Sequence, residues 1–340
     1  ALPILKNVTI KEVAAHAGMS ITTVSRALNN NYPVSAEARE KIEKAVAELG
    51  YRPNLVARSL KSNNTGIIGL VVADISNRFF MKAARKLEDV VSAQGYQIIY
   101  ASSDGNVEKE HQILSMFEER CVDALVIASS DSSSYHLNNI AGNGTPVIAI
   151  DRKVPGLQAD IVVEDNRDSS YQLVEALIQK GHTEIAVNNV LMNISSGKER
   201  LEGVRMAMQA YGLPLREEWV SRGGFTSDDA RQWVKQIFAG NGLKPTAVFC
   251  ANNVMTEGTL LALEELNLRI PEDVSVVSFG ELPMHQLIQP RIESVVQDPL
   301  RIGQLAGELV LMRLKGEKED FCHYELPLKL KHGNSIRSLS

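Results

Sequence analysis

From Ile67 to Ser278, short β-branched runs alternate with amphipathic helical stretches, and no other feature restricts the fold as much. The runs are Ile67–Ala73, Gln97–Ser102, Ala124–Ala128, Pro146–Ile150, Ile185–Asn189, Ala247–Ala251 and Val274–Ser278. Between them lie Phe80–Gln94, Glu108–Arg120, Arg167–Lys180, Arg200–Tyr211 and Glu257–Leu266, each with an apolar stripe at helical spacing. A strand buried on both faces loses the alternation of apolar and polar residues. Continuous apolar strands separated by helices therefore imply parallel sheets covered on both sides. About a dozen strand–helix units fit two doubly wound lobes better than one.

Residues 10–50 have a different grammar and read as three short helices. Ile10 to Ala17 places Val13, Ala14 and Ala17 on one face. Gly18 permits a turn at positive φ, and Ser20 caps a second helix, Ile21 to Leu28, whose inward residues are Val24 and Ala27. The third helix follows Ser35 and carries Ala38, Ile42, Ala45, Val46 and Leu49 on one stripe. This is a helix-turn-helix, whose second helix is suited to the major groove of DNA. Ile21, Thr22, Ser25 and Arg26 occupy its outer face; Arg26 can make a paired contact with guanine, while Ile21 and Thr22 suit base edges and thymine methyls.

The chain has 340 residues and a formal net charge of −5, which by itself argues against a nucleic-acid partner. The distribution reverses that inference. Residues 1–62 carry nine Lys/Arg against five Asp/Glu, a net +4, which leaves −9 for the remainder. A basic head on an acidic body is the asymmetry of a nucleic-acid-binding module.

The expected division is a head over 1–50, a hinge over 51–65 and a body over 66–340. One body lobe is about 66–165 with 296–326, the other about 166–295 with 327–340. Within the hinge, Asn54-Leu55-Val56-Ala57-Arg58-Ser59-Leu60 is too short for a stable isolated helix. Leu60 suits either a wedge between base steps in the minor groove or packing against the body.

Three cysteines, Cys121, Cys250 and Cys322, are widely spaced and form neither a metal motif nor a disulfide framework. No apolar run is long enough to span a bilayer, and the first residues lack a secretory pattern. The expected compartment is the cytoplasm, with no membrane partner and no cofactor.

Enzyme readings find little support. No G-x-G-x-x-G follows the first strand, Gly197-Lys198 lacks the upstream glycine of a phosphate loop, and no G-x-S-x-G elbow is present. The seven histidines are scattered, and His182 sits at a helix-to-strand turn where a structural role is expected. Two alternatives to a DNA-binding regulator are a transport receptor and a carbohydrate-handling enzyme.

In open parallel sheets, ligands bind beyond the carboxyl ends of the strands. Those ends carry Asp74, Asp151-Arg152, Ala251-Asn252-Asn253 and Ser278-Phe279-Gly280-Glu281. Phe79, Phe80 and Phe225 could cover an apolar ring face, and Arg200 begins a helix. Each aromatic taken alone is more often core packing, and Asp151 or Arg200 alone is as often a salt bridge.

The ordered series Val8-Thr9-Ile10-Lys11-Glu12-Val13-Ala14, Gly18-Met19-Ser20 and Thr23-Val24-Ser25-Arg26-Ala27-Leu28-Asn29 resembles the headpiece of the lactose-repressor family. Gly50-Tyr51-Arg52-Pro53-Asn54 with Ala57-Arg58-Ser59-Leu60 resembles that family's hinge, and the similarity continues through the body. The resemblance implies two lobes of the periplasmic-binding-protein type and a homodimer on a pseudo-palindromic double-stranded DNA operator. It further implies repression of sugar or related catabolic genes under control of a small-molecule effector. It assigns DNA contacts to Thr9, Ser20, Ile21, Thr22, Thr23, Ser25, Arg26, Asn29, Ser35, Tyr51, Asn54, Ala57, Arg58 and Leu60, with Leu60 as the wedge. It assigns the effector cleft to Asp74, Phe79, Phe80, Asp151, Arg152, Ser196, Arg200, Phe225, Asn252, Gly280 and Glu281.

Two departures bear on the effector. Asn252-Asn253 stands where many members carry Asn-Asp, and Phe279-Gly280-Glu281 where many carry Phe-Asp-Asp. The loss of two carboxylates favours a phosphorylated sugar or sugar acid over a neutral sugar.

Overall fold

The computed structural model describes residues 8–29, 34–51, 64–317 and 320–339. The hinge candidates Asn54, Ala57, Arg58 and Leu60 lie outside them. Two units separate, residues 1–65 and 66–340.

In the first unit, α1 (Ile10–His16), α2 (Ile21–Asn29) and α3 (Ala36–Leu49) enclose a small core. Val13, Ala14, Val24, Ala27, Ile42 and Ala45 are buried in it. Thr9 starts α1 through a capping box: Glu12 N donates to its Oγ1 at 3.4 Å, and its own N donates to Glu12 Oε2 at 2.7 Å. Gly18 turns the chain at φ 64°. Ser20 Oγ then accepts from Thr23 N at 3.1 Å, capping α2.

The second unit contains two sheets. The first orders its six strands β10-β5-β4-β3-β1-β2, all parallel. These are β1 (Ile67–Val72), β2 (Gln97–Ser102), β3 (Ala124–Ile127), β4 (Val147–Ile150), β5 (Asp160–Glu164) and β10 (His323–Leu326). The second runs β11-β9-β8-β7-β6, with β6 (Ile185–Asn188), β7 (Ala247–Cys250), β8 (Ser275–Phe279), β9 (Glu293–Val296) and β11 (Lys329–Lys331). Here only β11 is antiparallel.

Helices cover both faces of each sheet. Around the first lie α4 (Arg78–Ser92), α5 (Val107–Glu119), α6 (Tyr135–Gly142) and α11 (Pro299–Leu314). Around the second lie α7 (Asn166–Gln179), α8 (Ser195–Ala210), α9 (Ser227–Ala239) and α10 (Asn253–Glu265). The chain passes between lobes three times, from β5 to α7, from β9 to α11 and from β10 to β11.

The helix pairs are pressed together at glycines. A Cβ on Gly303 of α11 would sit 2.1 Å from Ala83 O of α4, and one on Gly203 of α8 the same distance from Arg167 O of α7. Backbone against backbone leaves no side chain to move aside. Gly303→Ala should therefore cost about 1–3 kcal/mol, as overpacking does. Urea unfolding would measure the loss; an unchanged midpoint would show that α4 and α11 slide apart freely.

Candidate nucleic-acid interface and ligand cleft

The outer face of α2 presents Ile21, Thr22 and Arg26, all exposed, with Ile21 45% accessible. An exposed isoleucine in the first turn of a polar face suits contact with another molecule. Thr23 and Ser25 are half-buried beside them, and Tyr51 packs partly into the core. Asn29 closes α2. Thr9 and Ser20 start helices as described, and Ser35 Oγ accepts from Ala38 N at 3.3 Å at the start of α3. Three candidate polar residues thus hold helix N-termini, where backbone N–H groups are suited to phosphate oxygens.

In the second unit, nine sequence-level candidates converge on one cleft between the lobes. Asp74, Phe79 and Phe80 follow β1, Asp151 and Arg152 follow β4, Ser196 and Arg200 lie on α8, and Phe225 and Asn252 precede α9 and α10. Asn77 and Gln297, which sequence reasoning left unassigned, line it as well, together with the strand-end Asn253. Asn77 caps α4, accepting from Phe79 N at 3.0 Å, and this sets Phe79 and Phe80 edge to face with centroids 5.2 Å apart. Asp151 is held at φ 64°, a conformation rare for a non-glycine residue and concentrated at functional sites.

Gly280 and Glu281 line a different cavity of about 270 Å³, beneath the loop after β8, with His285, Arg291 and Lys331. Lys331 Nζ donates to Glu281 Oε1 at 2.5 Å and draws its carboxylate into that cavity. Gly280 reaches the cleft only indirectly: a Cβ on it would lie 2.4 Å from Oε1 of Gln297.

The electrostatics of the cleft turn on two buried arginines. Arg152 donates from Nη1 to Ser129 O at 2.9 Å, and its Nε, 3.4 Å from Asp151 Oδ2, has no hydrogen-bond partner among the described residues. Arg200 donates from Nε to Asn166 Oδ1 at 2.8 Å and from Nη1 to Ala251 O at 2.6 Å, and it stacks on Phe279 at 3.7 Å. Burial pushes both guanidinium groups below their ordinary range; Asp151 opposes this in both cases. Among the described residues no carboxylate lies within ion-pairing distance of Arg200.

Contacts across the cleft hold the lobes together. Asn77 and Asn253 pair their carboxamides at 3.2 and 3.5 Å. Lys153 N donates to Ser195 Oγ at 2.7 Å, and Asn193 Nδ2 to Ser130 O at 3.2 Å. Phe225, from the second lobe, packs against the first, so close to Gly105 that a Cβ there would lie 2.8 Å from its ring. Parting the lobes would have to break each of these contacts.

One further buried acid lies beside the cleft. Glu164 ends β5, and burial pushes its carboxyl up to about 7 against the pull of its hydrogen bonds. Its folded-state value lies above the ordinary 4.5, so this group leaves folding unpenalised below pH 4.5 and costs stability as pH rises to about 7. A rise of that size corresponds to about 3 kcal/mol. Relative to Glu164→Gln, the wild-type protein should lose about that much between pH 4.5 and 8 in urea titrations. Parallel curves would show a carboxyl that titrates normally.

His182 is structural: its ring is buried between Thr246 Oγ1 at 2.8 Å and Arg337 O at 3.2 Å. Among the described residues, no helix is long and apolar enough to cross a membrane.

Comparisons with known proteins match both units of the chain. Residues 9–54 match the family "Bacterial regulatory proteins, lacI family", and residues 174–336 match "Periplasmic binding protein-like domain". The chain is 32% identical over 333 residues to the "HTH-type transcriptional repressor PurR" of Vibrio vulnificus, covering 98% of this chain and 99% of that protein. It is 30% identical over 332 residues to the "Catabolite control protein A" of Priestia megaterium, covering 97% and 100%. Among solved structures, the transcriptional regulator CelR in complex with cellobiose superposes with a TM-score of 0.73 at 27% identity, over 97% of this chain and 100% of that one. The lac repressor dimer bound to operator and the anti-inducer ONPF shares the fold, with a TM-score of 0.83 at 24% identity over 98% and 100%.

The fold and these relatives define a ligand-responsive, DNA-binding transcriptional repressor rather than an enzyme. The chain belongs to the lacI family of bacterial regulatory proteins.

Proposed function

We propose that the chain works in the cytoplasm as a homodimer on a pseudo-palindromic operator, and that an anionic small molecule in the interlobe cleft sets its grip on DNA. Arg26, Ile21 and Thr22 would read bases, Thr9, Ser20 and Ser35 would anchor phosphates at helix N-termini, and Leu60 in the 51–65 hinge would act as the wedge. The two lobes of residues 66–340 would carry the effector and the dimer contact. The effector class is a phosphorylated sugar or a sugar acid, and the regulated genes would handle such a compound.

The observation that carries this reading is Arg200. It lines the cleft, is buried, and spends its bonds on neutral acceptors, Asn166 Oδ1 and Ala251 O. A buried guanidinium without a carboxylate partner favours a ligand that supplies one, or a phosphate, through paired hydrogen bonds. Gly280 leaves the end of β8 without a carboxylate, and Asn253 is neutral, so neither repels an anion.

A neutral sugar is the second reading. Asp74 and Asp151 line the same cleft and could accept sugar hydroxyls, and the similar CelR structure holds cellobiose. Calorimetry with glucose, glucose 6-phosphate and gluconate separates the two. Anionic recognition requires the phosphate or the acid to bind more tightly than glucose; the reverse order would overturn it.

A further inference from the structure

We infer that Glu164 is a positioning residue for the effector: by gaining a proton it turns the Gln297 carboxamide from an acceptor into a donor towards the cleft. The inference rests on an anionic effector and adds how that anion is admitted.

Glu164 sits where the chain first crosses between lobes, and both donors to it come from the second crossing. Gln297 Nε2 donates to Glu164 Oε2 at 2.5 Å, and Asp298 N donates to Glu164 Oε1 at 2.9 Å. Gln297 also lines the cleft. With its Nε2 committed to Glu164, it turns Oε1 towards the space that Gly280 leaves, where a Cβ would lie 2.4 Å away. A carbonyl oxygen repels an anion and accepts from a hydroxyl.

A proton taken from solvent onto Glu164 Oε2 reverses the pair. The carboxylic acid O–H then donates to Gln297 Oε1, the amide rotates by half a turn, and Nε2 takes the place of Oε1 on the side facing Gly280, where Gln297 lines the cleft. No other rearrangement is needed, because a carboxamide is nearly the same shape both ways round. Among the described residues no cation lies within ion-pairing distance of Glu164, so nothing at contact range locks it ionised. The charged groups acting on it are Asp151 beyond β4, which favours the proton, and Arg200 of α8, which opposes it. Asp165 and Asp298, beside it on the crossings, cap α7 and α11, accepting from Asp168 N at 3.0 Å and Arg301 N at 3.0 Å. An anion beside Arg200 offsets the field that keeps Glu164 ionised, so anion binding and proton uptake reinforce each other.

Burial already holds Glu164 near the middle of its titration at neutral pH, at about 7. Affinity for gluconate, whose own carboxyl does not titrate there, should then weaken about fivefold from pH 7 to 8 in the wild-type protein. Calorimetry at pH 7 in MOPS and in imidazole should give different apparent enthalpies, reporting uptake of about half a proton. In Glu164→Gln, gluconate affinity should be flat between pH 6 and 8, and glucose 6-phosphate should show only the pH dependence of its own phosphate. The buffer comparison on the wild-type protein decides the matter even if the variant fails to fold. Gluconate binding with no proton uptake, or the same pH dependence in both proteins, would overturn the inference and leave anionic recognition standing. Failure of both anions to bind more tightly than glucose would instead overturn the anionic reading, and this inference with it.

Discussion

Replacing Arg200 by alanine is expected to weaken an anionic effector by about 2–5 kcal/mol, roughly 30- to 5,000-fold, the loss seen when one partner of a buried, hydrogen-bonded charge pair is removed. The size follows from burial. Arg200 is 5% accessible and stacked on Phe279, so water cannot take the place of its guanidinium beside a bound anion. The substitution also strands Asn166 Oδ1 and Ala251 O, so fold and binding must be separated. Arg200→Lys does this: it keeps the charge but loses the planar fork and much of the stacking, and should fall between wild type and alanine. Calorimetry on all three proteins, each checked for a cooperative thermal transition, measures the effect. Anion affinity intact in a folded Arg200→Ala would place the ligand elsewhere.

Arg26→Ala should cost operator binding about 1–3 kcal/mol for each half-site, and a symmetric dimer makes the contact twice. Preference should relax at one base pair per half-site. Fluorescence anisotropy against an operator and its single-base variants reads both quantities. Equal loss on every sequence would mean that Arg26 meets only phosphate, since phosphate contacts carry no base information.

Much of the fold was legible because its strongest signals are local. The turn at Gly18, the cap at Ser20 and the inward Val13, Ala14, Val24 and Ala27 lie within fifteen residues and are all in place. The seven apolar runs coincide with β1, β2, β3, β4, β6, β7 and β8. The strands that escaped notice have a physical reason. β5 begins and ends in buried acids, Asp160 and Glu164, whose partners Arg313 and Gln297 lie over a hundred residues away. β9 and β11 are short and carry Glu293, Ser294, Lys329 and Lys331, which read as surface. α11 also went unplaced, because Gly303 and Gly307 lower its helix propensity in the sequence.

The cleft followed the same division. Residues just beyond strand ends, such as Asp74 and Asp151, could be placed from the sequence, whereas Arg200 lies more than a turn inside α8 and not at its start. Asn77, Gln297 and Glu164 could not, because their importance lies in what they meet across the lobes. Glu281 shows the converse error: a strand-end acid that a distant lysine, Lys331, draws away from the cleft.

The most direct test of a ligand-gated repressor uses the full-length protein and two DNAs. Operator candidates are first selected from genomic fragments by gel shift. Anisotropy then compares the selected pseudo-palindrome with its scrambled counterpart, with and without a ligand shown by calorimetry to fill the cleft. Regulation through the cleft requires that the ligand change specific affinity by at least about tenfold, about 1.4 kcal/mol of coupling, while scrambled DNA responds far less. A ligand that fills the cleft yet leaves specific DNA affinity unchanged, or a protein that binds both DNAs equally, would contradict it.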